Sequence, residues 1–242
     1  FNNSIRNIKQ HSNLEQQNFY QELKKGIMTL HLVPGTEMST QEIATKLQVS
    51  RTPVREAFIQ LQKEGLVEAI PQKGTKVSPI NIKRVGQERF LRESLELSVI
   101  EPFLANVNTQ DYQFLRANIE KQKEYWNKRD FAGFVQLDNQ FHKSLFEVAE
   151  QQLSWELISN YNGHYDRLRI LTIRNEETLT GTIQQHEQIV SLAEQGKIEE
   201  VYSELKDHVR KILVEKEELI QDYPGFFVSG EDEKNSILGG SL

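Results

Sequence analysis

Four polar side chains occupy positions where helical periodicity calls for apolar ones. In the segment 131–149, Phe131, Phe134, Val135, Phe141, Leu145 and Ala149 mark a buried stripe, and Asp138 and His142 fall in its middle. The two are one helical turn apart, so their side chains point the same way. His186 likewise interrupts the stripe Ile183, Val190 and Ala193, and His208 interrupts Val201, Leu205 and Ile212. An unpaired polar group in a core costs roughly 2 to 7 kcal/mol, so four of them on three helices require a common explanation. One is a divalent ion: imidazoles and a carboxylate suit zinc, nickel, manganese or iron, and the i, i+4 spacing lets one helix supply two ligands. The other is a hydrogen bond between Asp138 and one histidine, with the remaining histidines as ordinary core residues. His164 shares a stripe with Leu157, Tyr161, Leu168 and Leu171, and could replace a ligand or line a cavity.

A second constellation lies near the start of the chain. Ser39 and Glu42 have capping-box spacing ahead of a short helix that Ile43, Ala44 and Leu47 pin to a core. Gln48-Val49 makes a tight turn, and Ser50 is placed to cap a second helix whose first turn tolerates Pro53. Val54, Phe58 and Leu61 form its buried face, which leaves Ser50, Arg51, Thr52 and Arg55 exposed at its N-terminal end. After Gly65, Leu66 to Ile70 and Thr75 to Ile80 read as strands joined by Pro71-Gln72-Lys73-Gly74. Helix, turn, helix and β-hairpin in this order make a winged helix-turn-helix. In that architecture the second helix enters the major groove of double-stranded DNA, where Arg51 and Arg55 can each donate two hydrogen bonds to a guanine. Ser50 and Thr52 suit phosphate oxygens or a thymine methyl, and Lys73, Gly74 and Lys76 would touch the backbone or minor groove from the hairpin tip.

The elements that must position these residues divide the chain. Residues 1–13 read as a disordered start and residues 14–80 as the winged helix-turn-helix domain, opening with a helix from about Leu14 to Leu30. Residues 81–222 show only helical periods, roughly 85–107, 110–128, 131–149, 152–173, 177–195 and 197–221. The fold class is therefore mainly α, with an antiparallel all-helical bundle following the DNA-binding domain. Residues 223–242 read as a loose C-terminal tail.

The formal charge of −6 over 242 residues argues against a DNA binder until it is divided. Residues 1–80 hold ten Lys and Arg against seven acids, whereas residues 81–242 hold nineteen against twenty-eight. Phosphate attraction per subunit is thus modest and local, so useful affinity calls for a homodimer with two DNA-binding domains. No run approaches the 18 or so apolar residues of a membrane span, so a cytoplasmic protein with no membrane partner is expected. The absence of cysteine excludes disulfides and thiolate metal sites.

The stretch PGTEMSTQEIATKLQVSRTPVREAFIQLQKEGLVEAIPQKGTKVSP resembles the N-terminal domain of the GntR family of bacterial transcription regulators. The resemblance implies that Ser50 to Phe58 form the recognition helix and Lys73-Gly74 the wing; many members carry arginine where this chain has Gln41. The segments LRESLELSVIEP, LDNQFHKSLFEVA, QQHEQIVSLAEQGKIEEV and LKDHV are similar to the FCD ligand-binding domain of the FadR branch. That likeness implies a divalent metal, zinc foremost, held by Asp138, His142, His186 and His208, with a small organic acid as effector at or beside it. It also places Arg92 at a frequent arginine position, where it pairs with an effector carboxylate or with Glu96. His164 is the other candidate for effector contact.

The expected function is therefore a transcription regulator whose operator affinity responds to a small carboxylate. Alternatives are a regulator for which the ion itself is the signal, and a metal-dependent enzyme with an accessory helix-turn-helix. Against the enzyme, no Glu or second His lies beside the ligands in an HExxH-like arrangement to act as general base.

Overall fold

The computed structural model describes residues 15–211 and 216–228. The expected start at 1–13, Ile212 and the tail beyond residue 228 lie outside the described residues. The chain divides into two compact units, Phe1–Ile82 with Ile220–Leu242, and Lys83–Leu219.

In the first unit, α1 (Glu15–Met28) buries Phe19, Leu23 and Ile27, an apolar row spaced by four that forms one face of a helix. Helix α2 (Thr40–Leu47) starts as its sequence dictates: Ser39 is extended, and its hydroxyl accepts from the Glu42 N–H at 3.4 Å. It stops at Gln48, whose left-handed backbone (φ 58°) turns the chain into α3 (Arg51–Lys63). Val54, Ala57, Phe58 and Leu61 of α3 complete the core with Ile43, Ala44 and Leu66. Ser50 has the extended backbone of an N-cap but its side chain makes no cap bond, contrary to expectation. The cause is local. Pro53 is the third helical residue and has no N–H, which removes one of the two donors an N-cap side chain uses.

Strands β2 (Val67–Ile70) and β3 (Gly74–Val77) pair antiparallel with Val67 opposite Val77 and Ile70 opposite Gly74. A third strand not expected from sequence, β1 (Glu37–Met38), pairs with β3, giving the order β1-β3-β2. Two residues are too few to show alternation, so this strand is defined only by its partner. Strand β3 ends at Val77, three residues short of expectation: the Ser78 N–H still bonds the Leu66 carbonyl opposite it (3.0 Å), but Pro79 has no N–H to carry the ladder further. Residues Pro224–Phe226, read from sequence as tail, form a 3-10 turn that leads Phe227 into a parallel bridge with Ile80. Ile80 donates to the Phe226 carbonyl at 2.7 Å, and Val228 donates to that of Ile80 at 3.0 Å.

The second unit is all-helical among the described residues. Its helices are α4 (Ile82–Ser98), α5 (Ile100–Asn106), α6 (Thr109–Asn127), α7 (Phe131–Val148), α8 (Gln152–Asn160), α9 (Gly163–Thr172), α10 (Glu176–Glu194), α11 (Ile198–Arg210) and α12 (Lys216–Asp222). Two expected helices are each split. The period over 85–107 breaks at Val99 because a continuous helix would drive the Pro102 ring into the Ser98 carbonyl; restarting at Ile100 puts Pro102 in a first turn. The period over 152–173 breaks at Tyr161-Asn162, ahead of a glycine that begins α9. Helix α9 is capped from afar: the buried Glu88 carboxylate on α4 accepts the His164 and Tyr165 N–H groups, each at 2.9 Å.

The hairpin tip yields a test. Gly74 has φ 130°, and a Cβ there would lie 2.6 Å from the Met38 carbonyl oxygen of β1. Replacing Gly74 with alanine should destabilise the first unit by about 1 to 3 kcal/mol in chemical denaturation. An unchanged midpoint would show that β1 and the tip rearrange freely.

Candidate metal centre and nucleic-acid interface

Ser50, Arg51, Thr52 and Arg55 are all exposed at the N-terminal end of α3, and Lys73 is exposed at the hairpin tip beside Gly74. Arg51 and Arg55 are one turn apart, and no ion pair with a carboxylate engages either among the described residues. The Lys76 ammonium is 3.3 Å from Glu68 on the neighbouring strand, a half-exposed ion pair set by the cross-strand register. Gln41 is exposed on α2 and donates to the Thr45 hydroxyl at 3.0 Å.

In the second unit, α7, α10 and α11 bring four ligand atoms together. Asp138, His142, His186 and His208 each offer one atom, and these lie within 4.8 Å of one another. The His208 Nε2 is 3.1 Å from that of His142 and 3.3 Å from that of His186. Asp138 lies 3.6 Å from the His142 Nε2 through one carboxylate oxygen and 3.5 Å from the His186 Nε2 through the other. An ion about 2.1 Å from each donor would hold neighbouring donors roughly 3.0 to 3.4 Å apart, so the spacing fits a single cation.

Tautomers decide what else the cluster can be. The Asn118 amide donates to the Leu137 carbonyl (3.1 Å), so its oxygen faces Gln122 and accepts that amide N–H at 2.7 Å. The Gln122 oxygen is left facing the His186 Nδ1 at 2.9 Å, which must therefore carry the proton. Glu96 Oε2 lies 2.8 Å from the His142 Nδ1, off the ideal hydrogen-bond line, and assigns the proton in the same way. Both Nε2 atoms then present lone pairs toward His208. A single proton on the His208 Nε2 can serve only one of them, and the His208 Nδ1 is itself buried without a hydrogen-bond partner. Convergent lone pairs beside a carboxylate could hold a cation, and hydrogen bonds among the three rings alone leave at least one of these groups unsatisfied.

The electrostatics keep the donors in their metal-binding forms. Burial would raise the Asp138 carboxyl, but the guanidinium of Arg169 above all, with that of Arg92, holds it well below the usual carboxylate range. Burial pushes His186 down to about 3 and takes His208 well below an ordinary imidazole, so both are neutral at pH 7. Burial opposes ionisation of Glu96 as well, yet Arg92 and His142 outweigh it and bring the group to about 2. Deprotonated ligands are what metal binding needs.

The two residues expected to contact an effector are not at the cavity beside this cluster. That cavity, about 30 Å³, is lined by Asp138, Tyr165, Arg169, Thr172, Ile173, Thr178, Thr182, His208 and Lys211. Arg92 is 2% exposed and committed to structure: its Nε donates to Glu96 at 2.5 Å, and it lies 3.7 Å from Asp138. His164 stands apart from the four ligands because the Glu88 cap fixes its backbone while its Nδ1 accepts from Arg167 at 3.0 Å. The cavity's guanidinium is instead Arg169, which binds Asp138 and also donates to Asp166 at 2.9 Å and to Asn139 at 2.8 Å. Sequence reading missed Arg169 and Gln122. Arg169 follows Asp166 by three residues on one helix face; Gln122 is fully buried at a position where an exposed glutamine is the ordinary expectation. Gln122→Met, similar in volume but unable to accept the His186 proton, should lower metal affinity about 10- to 100-fold in a chelator competition assay with helix content retained. Equal affinity would remove Gln122 from the site.

Residues 15–77 match the family model described as bacterial regulatory proteins, gntR family, and residues 89–211 match the FCD domain. The HTH-type transcriptional repressor RspR of Escherichia coli K12 is 28% identical over 211 residues, 87% of this chain and 92% of that protein. An HTH-type transcriptional regulator in an unstable DNA locus of Streptomyces ambofaciens is 30% identical over 214 residues, 88% and 90% of the two chains. Among solved structures, E. coli McbR/YncC matches with a TM-score of 0.71 at 19% identity, over 86% of this chain and 98% of that one. A transcriptional regulator from Rhodococcus sp. RHA1 matches with a TM-score of 0.70 at 19% identity, over 95% and 100%. At such identity the structural likeness shows the fold alone. The relatives are regulators, not enzymes. With both models matched in order along the chain, this protein belongs to the GntR family: a DNA-binding transcription regulator built of a GntR winged helix-turn-helix followed by an FCD domain.

Proposed function

We propose that a homodimer of this chain binds a pseudo-palindromic operator in the bacterial cytoplasm, and that a small carboxylic acid bound beside a divalent ion in the FCD domain sets its affinity. The carrying observation is the convergence of three imidazole Nε2 atoms and Asp138 on one point next to a cavity bounded by Arg169. When bound, the ion supplies a positive centre for an anion. Asp138, His142, His186 and His208 hold it, with zinc first among ions that accept such donors. Glu96 and Gln122 orient two of the rings, and Arg169 anchors Asp138 while offering N–H groups toward the cavity.

The regulatory consequence follows from linkage. An acid can change operator affinity only through a different affinity for the DNA-bound and DNA-free arrangements. A second reading, in which the ion is itself the signal, is favoured by the donor count: four protein ligands already complete a tetrahedral shell. In that case organic acids leave operator binding unchanged and chelation alters it; under the first reading the acid acts on metal-loaded protein.

At the DNA, Arg51 and Arg55 read bases, Ser50 and Thr52 contact backbone or a thymine methyl, and Lys73 with Gly74 reaches from the wing. The net charge of each DNA-binding domain is small, which is why two copies are required.

Metal analysis of His142→Ala with His208→Ala should show the bound ion lost; full loading of that double variant would refute the site. Arg51→Ala with Arg55→Ala should weaken operator binding by at least about 1 to 3 kcal/mol per base contact removed, measured by gel shift. Recognition equal to the parent would overturn the assignment of the recognition helix.

A further inference from the structure

Two cavities of the FCD domain share one side chain. The inner cavity, about 30 Å³, touches the ligands Asp138 and His208 and the guanidinium of Arg169. The outer cleft, about 700 Å³, runs along α10 and α11 and is lined by amides of Gln184, Gln185 and Gln188. Lys211, at the end of α11, lines both. Its ammonium occupies the space that a Cβ on Gly181 of α10 would fill, so the glycine provides the notch in which the lysine rests. Among the described residues no carboxylate forms an ion pair with it, although Glu204 and Asp207 line the same cleft. Arg210, by contrast, is committed to Glu93 at 2.5 Å.

Size and charge act together here. A cavity of about 30 Å³ has room for one or two water-sized groups, enough for a carboxylate head but not for the rest of an organic acid. The rest of such an acid would have to pass Lys211, the side chain that the two cavities share, to reach the cleft. The buried charges around the ligands are Glu96, Asp138 and Asp166 against Arg92 and Arg169, so a divalent ion leaves one positive charge in excess. One carboxylate neutralises it. Lys211 then stands at the mouth as a second, separate cation.

We propose that Lys211 is the specificity-determining residue of the effector site: it selects acids with two anionic groups, one seated beside the ion and Arg169, the other paired with Lys211 in the Gly181 notch. This rests on the carboxylate reading above and adds the charge and shape of the ligand to it.

The test uses the full-length, zinc-loaded protein and isothermal titration with malonate, succinate and glutarate, against butyrate as the single-charge control. In the parent, at least one dicarboxylate should bind more tightly than butyrate. Lys211→Met should weaken that dicarboxylate by about tenfold or more, as loss of a charge-assisted contact does, and bring it to the level of butyrate. Gly181→Ala fills the notch, keeps the lysine and favours the helix, so it checks the same point without removing a charge. It should act in the same direction. Loss of dicarboxylate and butyrate binding in equal measure, or no loss of either, would overturn the role of Lys211 while leaving the carboxylate reading intact. Failure of every acid to bind the zinc-loaded parent would overturn both.

Discussion

Three imidazoles, those of His142 and His186 buried and that of His208 half-buried, aim their Nε2 atoms at one point beside an ionised carboxylate, and the helical domain is arranged around the cost of that convergence. Neutral rings tolerate burial, but lone pairs facing lone pairs do not, and two of the three rings have their other nitrogen tied down. Glu96 ties His142, and Gln122 ties His186 through a relay that ends at the Leu137 backbone carbonyl. Leu137 lies on α7, the helix that also carries Asp138 and His142, so the backbone of one helix of the cluster dictates the tautomer of a ring on another.

The carboxylate is held with equal redundancy. Asp138 meets Arg169 from α9 and Arg92 from α4, and Asn139, its neighbour in sequence, accepts from both guanidinium groups. Helix α9 therefore has to arrive at a defined depth, and the Glu88 cap on its first turn supplies that anchor. Removing one partner of such a network leaves a buried charge uncompensated, so both arginines are part of what holds the domain together.

The DNA-binding unit is organised differently, with the side chains proposed to read DNA outside the core. Arg51 and Arg55 are exposed because Val54, Ala57, Phe58 and Leu61 take the opposite side of α3. Pro53 pre-sets the first helical turn and at the same time leaves Ser50 without a cap bond. The wing is shaped by Gly74, whose missing Cβ lets the backbone of β1 come close.

Much of this was legible in residue order. Asp138 and His142 on one turn, His186 and His208 in apolar stripes, and the recognition helix all follow from the 3.6-residue period and capping rules, which act over a few residues and need no tertiary information. Pro102 and Asn162-Gly163 split two helices by equally local rules that the longer apolar periods masked. What only the tertiary structure decided is how distant side chains meet: that Arg169 faces the cavity beside Asp138 and Asn139, that Gln122 orients His186, that Glu88 caps α9, and that two residues near Glu37 become a strand. Those outcomes depend on helix approach and rotation, which pack residues 30 to 80 positions apart within hydrogen-bonding distance. A periodic pattern says which face of a helix is buried; it carries no record of what that face will touch.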